Sequence, residues 1–69
     1  MTINELRLNL KHLVDVYVLD PALKGRLLSL VARQNIPVKE ILAELEPSLI
    51  GKLSQADSKI IKEISFYFC

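Results

Sequence analysis

The sequence predicts an all-α fold, a compact array of four to five short helices forming one domain over residues 1–69. Three observations carry that expectation. Apolar residues recur at alternating spacings of three and four, which is the period of a helix face. Prolines and Ser, Thr or Asp residues fall where helices would start and stop. Only Val14–Val18 alternates and is β-branched, as a strand would be.

The first helix opens at Thr2-Ile3-Asn4-Glu5, which reads as a capping box. The Thr2 hydroxyl can accept from the amide three residues on, while the Glu5 carboxylate reaches back to the cap. Ile3, Leu6, Leu10, Leu13, Val14 and Tyr17 then form its apolar face. Asn4, Glu5, Arg7, Lys11, His12 and Asp15 lie opposite, with Leu8 and Leu19 on the back.

Asp20-Pro21 starts a second helix, with Asp at the cap and Pro where a missing amide costs nothing. Leu23, Leu27, Leu30 and Val31 form its apolar side, and Asn35 suits a left-handed position after its end. Pro37 opens a third helix bearing Val38, Ile41, Leu42 and Leu45. Glu46-Pro47 should end it, since a residue before proline is pushed away from helical geometry. A turn or short helix around Gly51 follows. Ser54 then caps a final helix with Asp57 at its third position and Ile60, Ile61, Ile64, Tyr67 and Phe68 on one face.

Composition points to association. The chain is 51% hydrophobic with a mean hydropathy of +0.30, and Leu, Ile and Val supply 25 of its residues. A domain of this size buries only about 60% of the surface its unfolded chain exposes, so surplus apolar surface is expected to meet a second chain. A membrane span is not expected, because the longest apolar cluster, Val14–Leu19, is short and interrupted by Asp15. The first residues carry no basic group ahead of their apolar positions, so no signal peptide is read there.

The net charge of +1 is too balanced to attract a polyanion by bulk field. Residues 1–34 sum to +2, residues 37–46 to −2 and residues 47–69 to +1. The single cysteine, Cys69, can form no intrachain disulfide and belongs to no zinc-ligand cluster. It is also misplaced for prenylation, which needs the cysteine four residues from the end. A reducing, cytoplasmic setting is the expectation.

Ala22, Gly25, Ser29 and Ala32 line one stripe of the second helix, where small side chains would let a neighbouring backbone approach closely. An interior helix glycine costs about 1 kcal/mol relative to Ala, which argues for a packing role. Either another helix of this chain fills the seam or a second chain does. As partner-binding candidates these four residues come first, followed by Leu8, Leu19 and Phe66.

The second and third helices outline a helix-turn-helix-like pair, and Arg26, Arg33 and Lys39 are its candidate DNA contacts. Glu40, Glu44 and Glu46 on the would-be reading helix oppose that use, because phosphate attraction supplies much of DNA affinity. His12 reads as a solvated residue with only Asp15 in reach, and no catalytic constellation converges on it. Gly51-Lys52-Leu53-Ser54 lacks the spacing and preceding strand of a phosphate loop. The expected protein is a non-enzymatic interaction module, an adaptor, inhibitor or subunit that self-associates. A DNA-binding regulator is the alternative. No catalytic residue, cofactor, metal or small-molecule substrate is expected.

Overall fold

The computed structural model describes all residues, Met1–Cys69, as four helices with no strand: α1 (Ile3–Tyr17), α2 (Pro21–Val31), α3 (Val38–Leu49) and α4 (Gln55–Phe68). The lower end of the expected four to five holds. α1 packs against each of the other three, most extensively against α2, and α2 also packs against α3.

The caps form as the residue types dictate. The Glu5 amide donates to Thr2 Oγ1 at 3.1 Å, and the Thr2 amide donates to Glu5 Oε1 at 3.0 Å. At the start of α2 the Leu23 amide donates to Asp20 Oδ2 at 3.0 Å, and the Asp57 amide donates to Ser54 Oγ at 3.1 Å. Each bond satisfies an amide that has no partner within its helix.

The core contains Leu6, Leu10, Leu13, Val14, Tyr17 and Val18 from the α1 region, Leu27 and Val31 from α2, Val38, Ile41 and Leu45 from α3, and Ile64 from α4. Ile3 departs from its expected face and stands 52% exposed. The β-branched stretch stays helical to Tyr17. Val18 then turns extended yet remains fully buried, so core burial rather than propensity sets the end of α1. Leu19 consequently lies in the connection to α2, not on the back of α1.

Two helix ends differ from expectation. Asn35 is not left-handed, since no residue but Gly51 has a positive φ. α2 instead ends at Ala32 in right-handed geometry, and the side chain of Arg7 substitutes for the missing cap. Arg7 donates through Nε to the Val31 carbonyl at 3.1 Å and through Nη2 to the Arg33 carbonyl at 3.0 Å. A cation at that position also meets the negative end of the helix dipole.

α3 does not stop at Glu46 but carries Pro47 within its last turn and runs to Leu49. The missing amide of Pro47 costs one bond near the end of the helix. Fully buried Leu45 and half-buried Leu49 hold that turn against the core. A turn with Ile50 at φ −58, ψ 122 and Gly51 at φ 74 follows, closed by the Lys52 amide donating to the Leu49 carbonyl at 3.0 Å. Those angles define a type II turn, whose third position requires the left-handed conformation that glycine adopts freely.

Candidate functional site

The one buried polar side chain, Asp57, sits on the first turn of α4 and faces α1. The Tyr17 hydroxyl donates to Asp57 Oδ2 at 2.6 Å, and His12 Nε2 lies 3.0 Å from Oδ1. The Ser54 amide donates in turn to the Tyr17 oxygen at 3.2 Å. Foremost the Tyr17 hydrogen bond, then those from Ser54 and His12, hold the Asp57 carboxyl below the usual aspartate range, against the opposing effect of burial. An ionised carboxylate only accepts, so the proton in the His12 contact belongs to Nε2.

His12 therefore has a partner that its own helix did not reveal: Asp57 of α4, not Asp15. Oriented in this way, an imidazole can serve as a base where a substrate reaches its other nitrogen. None of the surface grooves is lined by His12, Tyr17 or Asp57. What the cluster does in this fold is fasten the C-terminal half of α1 to the N-terminus of α4. No group of three His, Cys, Asp or Glu side chains gathers in the way a metal site needs. No helix is long and apolar enough to cross a membrane.

The small-residue stripe is solvent-facing. Ala22, Gly25, Ser29 and Ala32 are all exposed, and a Cβ built on Gly25 would meet nothing within 4 Å. The reading in which another helix of this chain fills the seam is thereby corrected. α1 packs along the Leu27–Val31 side of α2 instead, where larger side chains bury more area. Ala32 also lies apart from the other three, at the α2 C-cap beside a groove formed with Arg7, Lys11, Leu28 and Val31.

Leu8, Leu19 and Phe66 stand 67%, 78% and 80% exposed, enough to leave each largely in water. They lie on three different elements, α1, the α1–α2 connection and α4. Phe66 packs edge-to-face on Tyr67, with centroids 5.0 Å apart, so Tyr67 faces outward rather than joining the α4 core face. Both rings border a shallow groove with Met1, Glu5, Asn9, Lys59, Lys62 and Glu63, which mixes charges of both signs.

A more apolar groove runs between α3 and α4. Leu42, Leu49, Ile50, Gly51, Leu53 and Ile61 line it, with Glu46 and Ser65. Sequence periodicity assigned Leu42 and Ile61 to core faces, but both are only half-buried because α3 and α4 are not a closely packed pair.

α2 and α3 form a packed pair joined by Arg33–Ile36 between the Ala32 C-cap and the Pro37 N-cap, a connection of the length that a helix-turn-helix uses. Arg33 falls in that connection, beyond the end of α2. Arg26 itself is engaged by acids of α3, at 2.9 Å from Glu44 Oε1 and 3.8 Å from Glu40 Oε1. Arg33 and Lys39 are exposed. No protein family model, characterised protein or solved structure matches the chain.

Proposed function

We propose that this protein is a non-enzymatic interaction module, working in the cytoplasm by burying exposed apolar helix surface against another protein chain. The observation that carries this reading is the set of large apolar side chains left in water by so small a domain: Ile3, Leu8, Val16, Leu19, Ile50, Phe66 and Tyr67. Single exposed apolar residues are ordinary, but several on one small surface, together with an apolar groove, favour a partner. Burial of apolar area contributes about 25 cal/mol per Å², so a patch of a few hundred Å² provides several kcal/mol before association costs. The small-residue stripe on α2 and the Leu8, Leu19 and Phe66 positions are further contact candidates. An adaptor, an inhibitor or a subunit of a larger assembly would all use such a surface.

The DNA-binding alternative is weakened by the pairing of Arg26 with Glu40 and Glu44, which turns the most central of its three candidate cations toward protein carboxylates. The test has two arms. Photo-crosslinkers placed at Leu8, Ile50 and Phe66 in the source cell should capture protein. A salt-titrated duplex shift assay should show no tight, salt-sensitive complex. Crosslinks confined to nucleic acid, or a complex that weakens steeply with salt, would overturn the reading.

A further inference from the structure

Arg7 and Lys11 lie one helical turn apart on the same side of α1. They line a groove whose other wall is Leu28, Val31 and Ala32 at the C-terminal end of α2. The lining is thus two cations and three apolar residues, with no acid among them. We infer that this groove docks an acidic, amphipathic segment of another protein, a deepening that rests on the interaction reading above.

The positive charge of the groove is not neutralised within the chain. Half-buried Arg7 spends Nε and one Nη2 hydrogen on the Val31 and Arg33 carbonyls, which orient the guanidinium without cancelling its charge. Both hydrogens of Nη1 remain to be given to an acceptor. No carboxylate lies within ion-pair distance of Arg7, Lys11 or Arg33, since the ion pairs of the fold are His12–Asp57, Arg26–Glu40 and Arg26–Glu44. Like charges one turn apart on a helix repel, and a carboxylate seated between Arg7 and Lys11 relieves that repulsion. Exposed Arg33, next in the chain after Ala32, adds a third cation at that end of the groove.

The occupant must match both kinds of lining. A nucleic-acid backbone offers phosphates to the cations but nothing to Leu28 and Val31. An anionic lipid surface is recognised by clusters of about four to eight basic residues, more than this edge supplies. A protein segment with Glu or Asp beside Leu or Ile satisfies both, its charges steering the encounter and fixing the register while its apolar side chains are buried.

Amide NMR of the isotope-labelled full chain, titrated with a synthetic peptide of repeating Glu-Glu-Leu-Leu, tests the inference. Shifts should concentrate at Arg7, Lys11 and residues 28–33, and the affinity should fall as salt screens the charges. Lys11→Glu and Arg33→Glu, both at exposed positions, should each weaken binding about tenfold or more, because like charges then face each other. Their helical circular-dichroism spectra should match the wild type. A peptide with Gln in place of every Glu should bind far more weakly. Equal binding of the Gln peptide, indifference to both substitutions, or groove amides unmoved at millimolar peptide overturns the inference. So does movement of the same amides by phosphatidylserine vesicles or duplex DNA at lower concentration than by the acidic peptide. If the groove fails in any of these ways while crosslinkers at Leu8, Ile50 and Phe66 still capture protein, the interaction reading survives.

Discussion

Tyr17 and Asp57, forty positions apart in sequence, meet through a 2.6 Å hydrogen bond that joins the end of α1 to the start of α4. It is the shortest side-chain hydrogen bond in the fold and the only one between two side chains that is fully buried. Replacing Tyr17 with Phe keeps the ring but leaves Asp57 Oδ2 without its donor and the Ser54 amide without its acceptor. Orphaned buried polar groups cost about 1–3 kcal/mol each, and a loss of stability in that range is expected from urea unfolding of Tyr17→Phe.

The same carboxylate makes stability depend on acid. Its folded-state pKa lies below the unfolded one, so the folded state binds its proton less readily. Its contribution is therefore complete above the ordinary aspartate range and disappears as pH falls through the folded value. Glu5, lowered chiefly by its hydrogen bond from the Thr2 amide, acts in the same direction. Denaturation midpoints should fall between about pH 5 and pH 2. Asp57→Asn should flatten that fall and also lower the midpoint at neutral pH.

Gly25 occupies the middle of α2 with open space around it. Nothing in the monomer requires a missing side chain there, so Gly25→Ala should stabilise the fold by about 0.5–1 kcal/mol. A rise in the thermal midpoint checks this. A stabilised monomer whose association is lost would instead mark the stripe as an interface.

Gly51 behaves oppositely, although it too has empty surroundings. Its φ of 74 puts any other residue in left-handed strain, so Gly51→Ala should cost about 1–2 kcal/mol. Comparing the two glycine variants by thermal denaturation separates backbone strain from packing.

Leu10 and Ile64 are fully buried in the shared core. Truncation of either to Ala should cost about 2–5 kcal/mol. A denaturation midpoint within experimental error of wild type in either variant would contradict the core assignment.

The helices were legible because their signals are local. Thr2 with Glu5, Asp20 with Pro21, and Ser54 with Asp57 each complete a cap within three residues, and each forms as the pattern implies. What the sequence concealed depends on contacts between distant segments. Arg7 capping α2, His12 meeting Asp57, and Arg26 meeting Glu44 all require the helices to be already placed. Pro47 inside α3 has the same origin, because burial of Leu45 outweighs a local stop signal. Tyr17 did carry a hint, since a phenol on an apolar face must find a hydrogen-bond partner once enclosed. The α3–α4 groove left no local trace, as Leu42 and Ile61 look like core residues until the two helices are seen to stand apart.

The order in which a ribosome delivers these helices gives α1 a particular burden. It is the first of the four in chain order and the one that packs most extensively against the rest. While α4 is still unmade, Tyr17 and His12 have nothing to bind, and the wall that α4 gives to α1 is missing. Nascent chains halted before Asp57 should thus be more protease-sensitive than chains that include α4.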